Sequence, residues 1–193
     1  VAAPGKVSCV MLTYGRLGIP SQQIMIEESV QSFLQQTDID CELIIVNDCK
    51  SQQVRYSHPR VRVFNTLKRF DTLGEKLNFA VSHAKGEYLM VWDDDDISLP
   101  HRIEIARNNI EACNGYYNPR GYWYVDQSGT WSWTHVTGYC VMASMFTKEL
   151  FDRVGGADHI IGYASTLDGT LVQGSGGALN RSQRTPIEQW SYI

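Results

Sequence analysis

Short apolar runs and segments of helical periodicity alternate along the first half of the chain. Short continuous apolar runs are typical of strands buried on both faces of a sheet. The chain has four such runs: Val7 to Leu12, Glu42 to Val46, Val61 to Phe64 and Tyr88 to Trp92. Apolar residues at helical spacing predict three helices: about Ser21 to Gln36, Leu73 to Ala84, and one opened by Pro100. This order predicts an α/β fold, with a mostly parallel, doubly wound sheet flanked by helices.

From Gly115 onward the pattern changes to a stretch crowded with tyrosine and tryptophan. Aromatic residues and turn signals between positions 116 and 133 predict one or two β-hairpins in this C-terminal half. The aromatic side chains are interpreted either as cross-strand and core packing or as a stacking wall for a sugar ring. Farther along, Tyr139 to Phe146 predicts another strand, and Thr147 to Val154 predicts a short helix closed by Gly155.

The composition is that of an ordinary soluble globule, with 43% hydrophobic and 20% charged residues. The chain of 193 residues is expected to form a single domain, residues 1–193, since neither an internal repeat nor a second domain is visible. The formal net charge of -4 provides no basic surface, so nucleic acid is not expected as a partner. No apolar run approaches the ~20 residues of a transmembrane helix, and no signal-peptide pattern is visible.

The five cysteines are odd in number, scattered along the chain, and form no CxxC pair. Such a distribution argues against a zinc site or a disulfide framework. It favours free thiols in a reducing compartment, and a cytoplasmic location is therefore expected.

Four consecutive aspartates, Asp93 to Asp96, follow the strand that ends at Trp92 and precede the helix opened by Pro100. Adjacent carboxylates repel one another, so a cluster fixed at a strand end is expected to have a positive partner. Carboxylate oxygens without a nearby His or Cys suit a hard cation such as Mg²⁺ or Mn²⁺. In open α/β sheets, ligands bind outside the carboxyl ends of the strands, where this cluster lies. A solvated acidic turn is the alternative.

Two other predicted strands also end in polar side chains. Thr13 and Tyr14 follow the first strand, and Asp48 follows the second. Because the carboxyl ends of parallel strands share one edge, these groups should converge with the aspartates. Converging carboxylates and a cation can bind a nucleotide diphosphate, the cation neutralising the phosphates and a carboxylate binding ribose hydroxyls. No Gly-rich phosphate loop of the GxGxxG or GxxxxGK[ST] type is present, which excludes Rossmann dehydrogenases and P-loop enzymes.

The order of these motifs resembles family 2 of the inverting glycosyltransferases, which have the GT-A fold. Residues 7–16 are similar to the opening strand of that family and its T-Y-N-R turn, with Gly15 in place of Asn. Residues 42–50 are similar to its E-I-I-V-V-D-D-G-S segment, with Cys49-Lys50 in place of Gly-Ser. The four aspartates match its DxD motif, here with every position acidic.

Three further segments extend the resemblance to about Leu171. Lys76-Leu77-Asn78, followed by residues 84–88, matches the stretch that leads to the DxD strand. Residues 151–158 match the segment that precedes the catalytic base. Residues 167–171 are similar to the E-D-x-x-L motif of the family, with Leu167 where Glu is common. The resemblance thus covers most of the chain and implies one GT-A domain.

The resemblance implies a metal-dependent enzyme that transfers a sugar, with inversion, from a nucleotide diphosphate donor to a hydroxyl of a sugar or other acceptor. The donor is expected to be a UDP-sugar. Asp168 matches the general base, and Asp95 matches the ligand of Mn²⁺ or Mg²⁺. The residues expected to bind the nucleotide-sugar are Thr13, Tyr14, Arg16, Asp48, Lys76, Asp93 and Asp94. Residues 1–100 are expected to form the donor half of the domain and residues 101–193 the acceptor half.

Within the nucleotide site, Asp48 matches the aspartate that binds the uracil ring. Asp93 or Asp94 is expected to face the ribose. Arg16 and Lys76 are interpreted as contacts to phosphate or base, with ordinary solvated side chains as the alternative.

Several other polar residues carry alternative roles. Arg69 is an alternative to Lys76 for the contact to phosphate or base. Asn78 is expected to hold loop geometry rather than to touch substrate. His135 and His159 are considered as further metal ligands, although a lone histidine is more often structural. Asp158 is the rival for the role of general base.

Two other functions are considered for a related fold. A non-catalytic module that binds a sugar or nucleotide sugar is allowed by Leu167 in place of Glu and by the Gly-rich segment 174–177, whereas Asp168 argues against it. A nucleotidyltransferase would need a Gly-rich opening loop with basic residues, which residues 13–16 do not form. Release of nucleoside diphosphate from sugar nucleotides distinguishes an enzyme from the binding module.

Overall fold

The predicted strands meet in one mixed sheet, with the first strand of the chain near its centre. The structure is a computed structural model that describes residues 5–117, 121–125, 130–135 and 144–157. The strands within these residues are, in chain order, β1 Val7–Thr13, β2 Cys41–Asn47, β3 Val61–Asn65, β4 Tyr88–Val91, β5 Tyr116–Tyr117, β6 Gly121–Val125, β7 Trp131–His135 and β8 Met145–Thr147. Strands β1, β2 and β4 are buried along nearly their whole length, as expected for strands covered on both faces.

Among the described residues, six strands form the large sheet in the order β3-β2-β1-β4-β8-β5. Strands β1 to β4 pair in parallel, whereas β8 pairs antiparallel with both β4 and β5. The prediction of a mostly parallel, doubly wound α/β sheet is confirmed. From β1 the chain moves outward to β2 and β3, and it then returns to β4 on the other side of β1. Such a reversal opens a crevice at the carboxyl ends of β1 and β4.

Helices cover both faces of this sheet. Within the described residues they are α1 Pro20–Leu34, α2 Leu73–Ser82, α3 Arg102–Asn109 and α4 Lys148–Arg153. Ile26 of α1 and Ile103 of α3 pack with Cys9 on one face, while Leu77 of α2 packs with Val10 on the other, in a cluster that α4 completes. The two faces alternate because successive strand side chains point to opposite sides. None of the described helices combines the length and the apolar character needed to cross a membrane.

The boundaries of α2 agree with the sequence prediction to within two residues. The Thr72 side chain accepts a hydrogen bond from the backbone of Glu75 and caps the start of α2. The helix predicted to reach Ala84 ends at Ser82. Gly86 lies against β1, where a Cβ would be only 2.5 Å from the backbone oxygen of Lys6, so a larger residue would push the strands apart.

The aromatic stretch divides between the large sheet and a separate hairpin. Strands β6 and β7 pair antiparallel, which confirms a hairpin in this region. Tyr116 and Tyr117 instead form β5 at the edge of the large sheet, where they pair with β8 and are buried. These two tyrosines therefore belong to the core, the first of the two interpretations given above. The strand predicted from Tyr139 is described only from Ser144 onward, with β8 at its end, and its earlier part lies outside the described residues.

Candidate active site

The carboxyl ends of β1, β2 and β4 carry the polar groups that the sequence predicts to converge. Thr13 ends β1, Arg16 follows it in a 3₁₀ turn, and Asp48 follows β2. Side-chain contacts join all three strand ends, because Arg16 bonds to Asp94 after β4 and Lys76 of α2 bonds to both Asp48 and the backbone of Thr13. The predicted convergence is therefore present, at the crevice where the strand order reverses.

Arg16 lies between two of the aspartates. Its Nε donates to Asp94 Oδ2 at 2.9 Å, and its Nη2 donates to Asp94 Oδ1 and to Asp95 Oδ2, both at 2.8 Å. The Asp94 side chain is buried, whereas that of Asp95 is 48% exposed. Hydrogen bonding to Asp94 raises the pKa of Arg16 above its ordinary value. The description of the cluster as a solvated acidic turn is therefore wrong for Asp94, which is both buried and paired.

Gly15 sets the direction in which the chain leaves β1. Its φ of 73° lies in the left-handed region, which Gly adopts freely and Asn tolerates better than most other residues. Gly in place of the usual Asn of the T-Y-N-R turn is therefore compatible with this backbone. Gln52 holds the turn from the neighbouring loop, since its Oε1 accepts from the backbone of Leu17 at 2.9 Å and its Nε2 donates to the Gly15 oxygen at 3.3 Å.

Lys76 and Asp48 form a buried ion pair at this edge. Lys76 Nζ lies 2.6 Å from Asp48 Oδ1 and donates to the backbone oxygen of Thr13, also at 2.6 Å. The second carboxylate oxygen of Asp48 accepts from the backbone N–H of Phe70 at 3.1 Å. Both charged side chains are only 4% exposed. Burial lowers the pKa of Lys76, and the hydrogen bond to Asp48 opposes that shift. The alternative of a solvated surface lysine is therefore wrong for Lys76.

Tyr14 lies at the same edge and presents an aromatic ring that is already in contact with a cation. The residue is 51% exposed. The guanidinium carbon of Arg69 lies 3.5 Å from the centroid of its ring, well within the range of a cation–π contact. Arg69 therefore stacks on Tyr14, while the contact to Asp48 is made by Lys76.

The loop that carries the aspartates is held by groups that the sequence analysis did not single out. Arg102, at the start of α3, donates to the backbone oxygen of Val91 at 2.9 Å and to Ser98 Oγ at 2.7 Å, two positions that bracket the loop. Ser29 Oγ of α1 donates to the backbone oxygen of Asp93 at 2.6 Å. Burial raises the pKa of Asp93 to about 7, an effect that the neighbouring aspartates increase and Arg102 opposes. A basic residue soon after an acidic run is a sequence pattern that could have indicated the role of Arg102. No local pattern distinguishes Ser29.

Asn78 ties α2 to the segment that follows α4. Its Nδ2 donates to the backbone oxygen of Ala157, and its Oδ1 accepts from the backbone N–H of the same residue, both at 2.9 Å. Gly156, with a φ of 79°, turns the chain toward this contact. The expectation that Asn78 holds loop geometry is confirmed.

Part of the predicted site falls beyond the residues that the structure describes. The predicted base Asp168, its rival Asp158, and Leu167 and His159 are in the range 158–193. Their roles stay predictions. His135 is the last residue of β7.

The side-chain oxygens at this edge fit a hard divalent cation. Within the ranges that the structure describes, no three His, Cys, Asp or Glu side chains form a ready-made metal cage. Mg²⁺ is usually held by one or two carboxylates together with substrate phosphates rather than by an all-protein cage. Asp95, half-exposed beside Asp94, presents a carboxylate of the type that such a site uses. The donor chemistry therefore fits Mg²⁺ or Mn²⁺.

The sequence matches a protein-family model along most of its length. That model is described as glycosyl transferase family 2, and the match covers residues 8–167. It therefore begins in β1 and includes the described groups at the carboxyl ends of β1, β2 and β4, whereas the predicted base Asp168 lies one residue beyond its end.

Curated relatives are glycosyltransferases of bacteria and archaea. The chain is 33% identical over 113 residues to the uncharacterised glycosyltransferase YwdF of Bacillus subtilis (strain 168), covering 56% of this chain and 40% of the relative. It is 28% identical over 138 residues to glycosyltransferase GlyG of Streptococcus pneumoniae, covering 67% and 45%. It is 26% identical over 121 residues to WfgD of Escherichia coli, a UDP-Glc:alpha-D-GlcNAc-diphosphoundecaprenol beta-1,3-glucosyltransferase, covering 58% and 45%. This chain spans less than half the length of each of these relatives.

A solved structure shares the fold. The crystal structure of S. aureus TarS 1-349 superposes with a TM-score of 0.63 at 16% sequence identity, covering 88% of this chain and 55% of the TarS chain. At this identity the likeness concerns the fold alone. Together with the family match, it shows a GT-A-type fold.

Proposed function

The chain belongs to glycosyltransferase family 2, and we propose that it is a metal-dependent, inverting enzyme that moves a sugar from a UDP-sugar to an acceptor hydroxyl. The observation that carries this proposal is the set of paired charges at the carboxyl ends of β1, β2 and β4. Carboxylates, one lysine and two arginines meet there. Such an edge can accommodate an anionic diphosphate and a cation together. The acceptor is defined only by its chemistry, as a hydroxyl of a sugar or another compound.

A uracil nucleotide is the donor that best suits Asp48. A carboxylate can accept the imide N3–H of uracil, whereas N3 of cytosine carries no hydrogen and is itself an acceptor. An ionised carboxylate has about four acceptor positions, so the contacts to Lys76 and Phe70 leave capacity for a further donor. The name of the E. coli relative, which states a UDP-Glc donor, supports the same choice.

Catalysis in this proposal divides between the two faces of the anomeric carbon of the transferred sugar. Asp95 would hold Mg²⁺ or Mn²⁺, which when bound neutralises charge on the leaving diphosphate. Asp93 or Asp94 would accept ribose hydroxyls, and the exposed ring of Tyr14 offers a face for the base. Asp168 would take the proton of the acceptor hydroxyl as general base. Attack from the side opposite the leaving group inverts the anomeric carbon in a single displacement.

The thiols of the protein support a reducing location. In the part of the chain that the structure describes, Cys9, Cys41 and Cys49 are buried and form no disulfide. Burial is the largest effect that raises the pKa of Cys9, so this thiol stays protonated and unreactive. We therefore propose that the enzyme works in a reducing compartment such as the cytoplasm.

Transfer itself is tested by measuring release of UDP from a panel of UDP-sugars in the presence of Mn²⁺ and candidate acceptors. Release that depends on the acceptor is the expected result. UDP binding without release from any UDP-sugar would instead support a non-catalytic binding module on the same fold.

Nucleotide binding is expected to depend on the cation and on Asp95. Chelation, or the substitution Asp95→Asn, should weaken UDP binding at least tenfold, or about 1.4 kcal/mol, because the phosphates lose their cation. Titration calorimetry with UDP, with and without Mn²⁺, measures the effect. Asp40→Asn is the matched control, since Asp40 is exposed and lies before β2 at the opposite edge of the sheet. Equal UDP affinity with and without Mn²⁺ would contradict the assignment.

Thr13 provides a test that separates binding from stability. Its hydroxyl is buried and has no hydrogen-bond partner among the described residues, and a buried unsatisfied group of this kind costs ~1–3 kcal/mol. Thr13→Val should therefore leave the melting temperature unchanged or raise it. UDP affinity should fall about fivefold, the value of ~1 kcal/mol for one neutral hydrogen bond made only in the complex.

The control for Thr13 is Ser8→Ala on the same strand. The Ser8 hydroxyl is buried and donates to Glu42 at 2.8 Å, so its removal should lower the melting temperature without changing UDP affinity. A lower melting temperature for Thr13→Val would show that the hydroxyl has a partner in the free protein. Unchanged UDP affinity would limit Thr13 to its backbone contact with Lys76.

A further inference from the structure

Arg16 bonds to the carboxylate that the proposed function assigns to a metal ion. Its guanidinium makes three charge-assisted hydrogen bonds, two to Asp94 and one to Asp95, at 2.8 to 2.9 Å. The acidic cluster thus already has a positive partner in the protein without ligand. The metal ligand and the arginine partner are the same carboxylate, Asp95.

The two contacts of Arg16 differ in their surroundings. Asp94 is buried and engages the guanidinium through both oxygens, a bidentate geometry that is strong and specific. Asp95 is half-exposed and accepts a single hydrogen bond. Water screens the exposed contact more than the buried one. The Arg16–Asp94 pair is therefore the stronger contact, and the Arg16–Asp95 contact is the one that a ligand can replace.

The backbone of Arg16 does not need to move for this exchange. Gly15 and Gln52 hold the 3₁₀ turn in which Arg16 lies. The Arg16 side chain is 24% exposed, so its end can reorient toward the crevice. A guanidinium binds phosphate with the same fork geometry that it uses for carboxylate. A diphosphate in the crevice would therefore offer Arg16 a replacement for Asp95.

We infer that Arg16 competes with the divalent cation for Asp95 and releases this carboxylate when the phosphates of the donor arrive. The inference rests on the proposed function. A guanidinium and a divalent cation on one carboxylate repel each other, so the cation alone binds weakly while Arg16 is in place. A diphosphate relieves the conflict because it adds negative charge and accepts the guanidinium. Arg16 is thus a positioning residue that makes metal binding conditional on nucleotide.

The test measures Mn²⁺ binding to the purified, nucleotide-free protein by electron paramagnetic resonance. Arg16→Gln removes the competing charge and should bind Mn²⁺ at least tenfold more tightly than the wild type. Arg16→Lys keeps the charge but loses the fork, and its affinity should lie between the two. Because Lys retains a cation beside Asp94, this variant keeps the experiment informative if Arg16→Gln does not fold. Arg62→Gln is the matched control, since Arg62 is a similarly exposed arginine paired with Glu42 toward the amino ends of the strands, and it should stay within twofold of wild type.

A second arm measures UDP affinity of each protein with and without Mn²⁺. Mn²⁺ should strengthen UDP binding by a larger factor in the wild type than in Arg16→Gln, because linkage makes the two effects reciprocal. Equal Mn²⁺ affinity of the wild type and both Arg16 variants overturns the competition, even when UDP still binds with Mn²⁺. Absence of any Mn²⁺ effect on UDP binding in every form overturns the metal-dependent function and the competition with it.

Discussion

Asp168→Asn is expected to lower the rate of sugar transfer by about 10²–10⁴-fold, the range typical of general-base catalysis. Asparagine keeps the shape of the side chain but cannot take the proton of the acceptor hydroxyl. Donor binding should stay within a few-fold of the wild type, because the groups proposed to bind the nucleotide lie at the ends of β1, β2 and β4. The measurements are acceptor-dependent release of UDP, for the rate, and titration calorimetry with UDP, for binding.

Asp158→Asn is the control for this experiment, since Asp158 is the rival acid in the preceding segment of the sequence. Near-normal transfer by Asp168→Asn together with loss of transfer in Asp158→Asn would assign the base to Asp158. Loss of UDP binding in Asp168→Asn would contradict a role confined to the proton transfer.

Lys76→Ala is expected to destabilise the fold by about 3–5 kcal/mol, the cost of removing one partner of a buried ion pair. The carboxylate of Asp48, which is buried, would lose its cation, and the backbone oxygen of Thr13 would lose its donor. At roughly 2–4 °C per kcal/mol for a chain of this size, the melting temperature should fall by about 6–20 °C. Chemical denaturation gives the free energy of unfolding, and calorimetry gives the melting temperature.

The chain contains a matched control for this pair. Lys148 Nζ and Asp152 Oδ2 also lie 2.6 Å apart, but their side chains are 37% and 58% exposed. Surface pairs of this kind contribute about 0–1 kcal/mol, so Lys148→Ala should hardly change stability. A similar small effect for Lys76→Ala would contradict the burial argument. The double variant Lys76→Met with Asp48→Asn should recover part of the loss, because it removes both charges together.

The fold could be predicted from the sequence because its strands are easy to recognise. Strands covered on both faces are continuous apolar runs, and a parallel sheet needs a helix or a long connection between neighbours. The order of β1 to β4 and their helices follows from these two facts. The position of Tyr116 and Tyr117 in the large sheet did not follow, because pairing with β8 depends on residues about 30 positions away along the chain.

The candidate site could be predicted only in part, because it too depends on contacts between residues far apart along the chain. Convergence of the strand ends follows from the parallel sheet, so Asp48 and Asp94 could be placed at one edge. Which cation meets which carboxylate depends on contacts across 28 residues for Lys76 and 78 for Arg16, and no local pattern encodes such pairings. A sequence pattern likewise cannot distinguish a buried lysine from a solvated one.

The position of β4 limits how far the protein can be shortened. This strand carries the aspartates and is paired on one side with β1 and on the other with β8, which comes more than 50 residues later in the chain. A fragment ending at residue 100 would contain the acidic loop but would leave one side of β4 as an open edge. Open edges of this kind act as templates for pairing with other chains. We therefore expect a chain cut at residue 100 to aggregate rather than to form a smaller folded protein.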